Sequence, residues 1–207
     1  MIKQPASLLL IHGAGSGPWI FDNWYRWFPE MVVSAVDLHA NLDIERAKMA
    51  DYVGAAVEAM NQLPGPVALC GWSMGGLVAL LASRQSRPHS LVLMEPSAPA
   101  EIQGVRHEVE LSTGSFDSEQ VYGRFPAGQL ARAESSLARA ERKRGISVPN
   151  IPCPTLVVYG LEFTEQRGRA VARLYGSKEL HFPDLDHWGL VMDSQVPGAI
   201  ARYLTRS

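Results

Sequence analysis

Gly71-Trp72-Ser73-Met74-Gly75 sets a serine between two glycines, with a strand-like apolar run before it and a helical pattern after it. A chain that turns sharply from strand to helix forces the residue at the bend into a strained conformation, and small residues two before and two after relieve the crowding. The hydroxyl then stands above the strand end, near the positive end of the following helix. This is the setting of a nucleophile; the alternative is a glycine-rich turn holding an ordinary serine. At neutral pH a serine needs a base within hydrogen-bond reach. Of six histidines, His187 in LDHWGL lies between the last apolar run and the final helical pattern, in a loop able to return to the sheet edge that carries Ser73. His12 closes the first run beside Gly13, a place for tying loops together, while His39, His89 and His107 lie in connections or at helix ends and His181 lies inside the last run.

Acyl transfer puts negative charge on the former carbonyl oxygen, so two preorganised N–H donors should face it. Met74, the residue after the serine, offers one. The loop His12-Gly13-Ala14-Gly15-Ser16-Gly17 offers the other, from the backbone of Ala14. A phosphate-binding loop is the rival reading, and it fails on spacing: GAGSG lacks the full GxGxxG pattern and the chain has no Walker lysine.

The elements that must position these groups follow from periodicity. Short apolar runs at 6–12, 31–38, 67–72, 90–96, 155–160 and 178–185 give six candidate strands, the first read as buried on both faces. Helical faces lie between them: Ile20, Trp24, Trp27 and Phe28; then Val53, Ala56, Val57 and Met60, with Asp43 as N-cap. Leu77, Leu80 and Leu81 continue a helix begun at the serine turn, and Val196, Ile200, Tyr203 and Leu204 form the last, with Pro197 in its first turn. Strands alternating with helices predict an α/β fold: a three-layer α/β/α sandwich on a mainly parallel sheet of about six strands. One domain over 1–207 is expected, with an excursion at about 98–150. There roughly 55 residues separate two strands that an ordinary crossover would join with about half as many. The second half of the excursion, 130–144, reads as a helix with Leu130, Ala133, Leu137 and Ala140 on one face and Gly145 at its end.

HGAG, GWSMGG and LDHWG, in this order on this strand pattern, resemble the α/β-hydrolase superfamily over nearly the whole chain, in a compact version. HGAGSGPW followed by AVDLHA is similar to the methylesterase and hydroxynitrile lyase branch, and GWSMGG to bacterial carboxylesterases. The resemblance implies an acid that orients the histidine and stabilises its protonated form. The family's usual aspartate position, three residues after Gly160, is Phe163 here, and two glutamates compete to replace it: Glu162 in the same loop and Glu95 directly after the 90–94 strand. The excursion falls where the family places a small helical cap over the serine. Its helix carries Arg132, Arg139, Arg142, Lys143 and Arg144 against Glu134 and Glu141, either a solvated face or a site for an anionic substrate or partner. Trp72 beside the serine is the tryptophan placed to touch a substrate. The implied activity is cofactor-free, metal-free serine hydrolysis of a small ester, thioester or lactone. The alternatives are a lyase on the same residues and a binding protein that has kept the fold without turnover.

Composition narrows the partners. The 207 residues carry 19 basic and 21 acidic side chains for a formal net charge of −2, so no electrostatic footprint for nucleic acid is present. The longest early apolar run, Leu8–Ile11, is far short of the roughly 20 residues of a membrane span. Cys70 and Cys153 sit beside strand-like runs as small buried hydrophobes rather than a redox pair, so the expected location is cytoplasmic.

Overall fold

The computed structural model describes residues 4–126 and 128–205, and the extreme ends of the expected 1–207 domain lie outside them. Six parallel strands, β1 (Ser7–Ile11), β2 (Val32–Val36), β3 (Val67–Trp72), β4 (Ser90–Met94), β7 (Thr155–Tyr159) and β8 (Lys178–His181), form one sheet in the order β2-β1-β3-β4-β7-β8. All six candidate runs are therefore strands. The four central ones are buried along their whole length, whereas β2 and β8, at the sheet edges, are half-exposed.

Alternate side chains of the central strands feed two cores. Leu9, Ile11, Leu69, Leu91, Leu93 and Val157 pack on one face with α1 (Met49–Asn61), α2 (Met74–Ser86) and α6 (Ala170–Tyr175). Leu8, Leu10, Cys70, Val92, Met94 and Val158 pack on the other with the aromatic segment 18–28, α7 (Gly189–Met192) and α8 (Gln195–Leu204). Both sheet faces are thus covered, giving the three layers. Pro197 lies in the first turn of α8 as read from sequence.

Three elements differ from the sequence reading. The segment 20–28 is two 3₁₀ turns, Pro18–Phe21 and Tyr25–Trp27, rather than one α-helix. Bulky aromatics lose rotamer freedom in an α-helix, and here tertiary packing decides, with the Trp24 indole donating to the Val191 carbonyl at 2.9 Å. Asp43 does not cap α1: it accepts from the Glu45 amide at 3.2 Å in a local turn, and the helix begins at Met49 with Asp51 accepting from the Lys48 amide at 2.8 Å. The third difference is in the excursion, which contains α3 (Ala100–Gln103), β5 (Ser115–Phe116), α4 (Ser118–Tyr122), β6 (Glu134–Ser135) and α5 (Ser136–Arg144), with β5 and β6 antiparallel. The helix expected from Leu130 starts at Ser136, because Ser135 caps it by accepting from the Ala138 amide at 3.1 Å. Leu130 and Ala133 are exposed while Leu137 and Ala140 are buried, so the apolar periodicity holds only from the cap onward. Gly145 ends the helix with φ 101°. Arg132 and Glu134 consequently lie outside the basic helix.

Candidate active site

The turn from β3 into α2 holds Ser73 at φ 55°, ψ −118°, a strained conformation for a residue with a Cβ. Its flanking glycines are sterically required. A Cβ on Gly71 would lie 2.2 Å from the Gly75 carbonyl oxygen, and one on Gly75 would lie 2.2 Å from the Ile11 oxygen. The bend is fixed by the Ser73 amide donating to Met94 at 2.9 Å and by the Ser73 carbonyl accepting from the Ser97 amide at 2.8 Å.

The next strand supplies a buried carboxylate. Glu95 follows β4 at φ 39°, and its amide still donates to Val158 at 2.9 Å. This left-handed kink accompanies a carboxylate that is wholly buried and divided between two donors: Oε1 accepts from the Gly160 amide at 2.7 Å, and Oε2 lies 2.6 Å from His187 Nδ1. Glu162, the other candidate, touches no imidazole nitrogen and instead accepts from the His187 backbone amide at 3.1 Å. Phe163, at the position where the family carries its aspartate, sets its ring edge-on to the imidazole at 5.3 Å. Trp72 stacks on the imidazole at 4.7 Å, and its indole N–H donates to the His187 carbonyl at 3.1 Å. Ring, backbone and acid together leave the imidazole one orientation.

Ser73 and His187 line a common cavity of about 250 Å³ whose walls include Ala14, Trp72, Phe125, Phe163 and Trp188. Met74 opens α2, and neither its amide nor that of Ala14 has a hydrogen-bond partner among the described residues. Two backbone donors beside the serine are thus unspent. Among these residues no group of three His, Cys, Asp or Glu is placed to hold a metal ion. Cys70 and Cys153 are both free, with burial raising the Cys153 thiol to about 11, so neither competes as a nucleophile.

Behind the Ala14 loop lies a polar cluster that sequence reasoning missed. Glu134, fully buried, accepts from the Gly15 amide at 3.1 Å, from the Ser135 amide at 3.0 Å and from the Tyr52 hydroxyl, with His39 Nε2 3.5 Å away. Burial alone would raise its pKa, but the His39 interaction, the Arg142 charge and the Tyr52 hydrogen bond outweigh burial and hold it at about 2. Arg132 reinforces the same loop: its amide donates to the Gly15 carbonyl at 2.7 Å and its guanidinium pairs with Asp37 at 2.7 Å. His12 is a loop tie, as its position implied. Nε2 accepts from the Leu38 amide at 3.0 Å and Nδ1 donates to Gly13 at 2.8 Å, a neutral state that burial favours by lowering its pKa.

The chain belongs to the alpha/beta hydrolase family, whose family model matches residues 8–202. Among relatives, it is 43 % identical over 77 residues to the pimeloyl-[acyl-carrier protein] methyl ester esterase of Neisseria meningitidis serogroup A, a match covering 36 % of this chain and only 25 % of that protein. It is 29 % identical to the lipase LipV of Mycobacterium tuberculosis over 174 residues, 76 % of this chain and 67 % of that one. Among solved structures, a pyrethroid hydrolase from Sphingobium faniae superposes with a TM-score of 0.69 at 16 % identity, covering 96 % of this chain and 97 % of that one, which shows a common fold. The two sequence relatives are named as an esterase and a lipase. No helix of the described residues is long and apolar enough to cross a membrane.

Proposed function

We propose that the protein is a serine hydrolase acting on a small ester, thioester or lactone through an acyl-enzyme, within one domain whose 98–150 segment caps the site. The observation that supports this most strongly is the Glu95–His187 contact of 2.6 Å in the wall of the cavity that also exposes Ser73. Ser73 loses its proton to His187 Nε2 and bonds to the substrate carbonyl carbon. The resulting oxyanion is held by the Ala14 and Met74 amides. His187 returns the proton to the leaving alcohol or thiol as that bond breaks, and water, deprotonated by the same imidazole, releases the acid. Glu95, wholly buried against the imidazole, keeps the Nδ1 proton in place and stabilises the imidazolium at each step without accepting the proton.

Among the described residues the cavity wall contains no lysine to steer a leaving cyanide, which disfavours lyase chemistry on the same residues. Unspent oxyanion donors and a strained serine disfavour a scaffold kept for binding alone. Hydrolysis of p-nitrophenyl acetate through octanoate by the wild type and Ser73→Ala, side by side, is the test. Turnover confined to the wild type supports the proposal; equal rates on every ester would remove it.

A further inference from the structure

Next to the serine's cavity lies a second chamber of about 400 Å³, and the two share Ser97, Tyr122, Arg142 and Arg167 as common wall. The second chamber is lined by five cations, Arg106, Arg139, Arg142, Lys143 and Arg167, and by no acidic side chain. They come from three separate places: the loop after α3, the last turns of α5, and the π-helical turn Thr164–Arg169. A solvated helix face would carry one element's charges; here three elements line one open cleft with theirs.

Among the described residues none of the five has a carboxylate within ion-pair distance. At longer range Arg142 feels the buried Glu134, and Arg167 feels Glu95 and Glu162. The Nε atoms of Arg139 and Arg142 are buried without a hydrogen-bond partner, although Arg142 reaches the Tyr122 hydroxyl at 3.3 Å. Arg167 stacks over Phe163 at 4.0 Å, which steadies its plane without neutralising it. Burial, then the charges of Arg139, Arg106 and Arg142, pulls the Lys143 ammonium below its ordinary range. A fold tolerates such crowding of like charge where an anion is to be received, and forked guanidinium donors match carboxylate or phosphate oxygens two at a time.

We infer that this chamber binds the anionic end of the substrate, a carboxylate or phosphate group remote from the scissile bond, so that the natural substrate is an anionic ester rather than a neutral one. The inference rests on the serine hydrolase reading only for its catalytic arm. An ester bond at Ser73 and an anion beyond the shared wall would span both cavities at once. Glu162 lines the serine side and not the anion chamber, so it reaches the chamber's charges only at longer range, through Arg167.

The test compares mono-p-nitrophenyl esters of linear diacids, from succinate to sebacate, with p-nitrophenyl esters of the monoacids of equal length. The ratio of kcat/KM, diacid over monoacid, should exceed about tenfold at one chain length and shrink as salt rises, because charge-assisted hydrogen bonds are worth about that much. In the double variant Arg106→Gln/Lys143→Gln, whose side chains are exposed and not needed for packing, the ratio should fall toward one. In parallel, titration calorimetry of glutarate and of inorganic phosphate into Ser73→Ala measures binding without turnover and separates the two anion types. Hydrolysis of both ester series with a ratio near one, and no binding of either anion, would overturn the inference while leaving the hydrolase intact. Anion binding that weakens in the double variant, with no ester turned over, would uphold the chamber and overturn the hydrolase reading instead. Absence of both turnover and binding would overturn each.

Discussion

Glu95→Gln is the most informative perturbation of the site, because the two carboxylate oxygens have different partners and an amide cannot serve both. Gly160 N–H at 2.7 Å demands an acceptor, and so does a protonated Nδ1 at 2.6 Å. If the glutamine oxygen faces Gly160, its NH₂ faces His187 and forces the imidazole proton onto Nε2, the atom that must take the serine's proton. With the amide turned the other way, NH₂ opposes the buried Gly160 N–H, leaving two donors face to face and destabilising the strand end. Either outcome removes the charge that stabilises the imidazolium. The equivalent loss in a serine-histidine-acid triad lowers kcat by about 10⁴, or roughly 5 kcal/mol of barrier. Glu162→Gln, by contrast, retains a neutral acceptor for the His187 amide at 3.1 Å and should cost less than about threefold. Steady-state kcat for both variants on one p-nitrophenyl ester, with circular dichroism to confirm folding, measures the contrast. Near-wild-type rates in both, or a larger loss from Glu162→Gln, would refute the assignment of the acid.

Three further outcomes follow from the same geometry. Gly75→Ala should prevent folding or lower the melting temperature sharply, because its Cβ would meet the Ile11 oxygen at 2.2 Å and backbone has nowhere to move; overpacking of this kind costs about 3 kcal/mol or more. Ser135→Ala should destabilise by about 1–2 kcal/mol in urea unfolding, since the hydroxyl both caps α5 and donates to the Ala47 carbonyl at 2.6 Å. Glu134, with a folded pKa of about 2 against an ordinary 4.5, contributes stability that is complete above about pH 4.5 and is lost as pH falls toward 2, on the order of 3 kcal/mol. Urea midpoints taken between pH 7 and pH 2 should therefore fall more steeply in the wild type than in Glu134→Gln, and parallel curves would count against the buried carboxylate.

What could be read from sequence was what is local in the chain. The serine, its two glycines and the strand-to-helix change lie within a few residues of one another, so the bend and its strain are visible in GWSMGG. His187 is marked by its place between the last strand and the last helix. The acid is different, because a loop after β7 and a kink after β4 both approach His187, and only the registration of these neighbouring strands sets Glu95 at its Nδ1 and Glu162 at its backbone amide. Glu134 lay wholly outside such reasoning: its partners Gly15, Tyr52 and His39 are scattered along the chain, and in sequence it reads as one acid on a basic helix. The aromatic segment 18–28 shows the same limit from the other side. Its apolar period correctly identified Ile20, Trp24 and Phe28 as buried, yet tertiary packing rather than periodicity chose 3₁₀ turns.

The most direct test of an activated serine is the rate of covalent capture by a fluorophosphonate, followed by intact mass and peptide mapping in the wild type and in His187→Ala. A single adduct on Ser73, formed at least about 100-fold more slowly without the imidazole, is the result that general-base activation predicts. No adduct, an adduct elsewhere, or a rate unchanged in His187→Ala would contradict it.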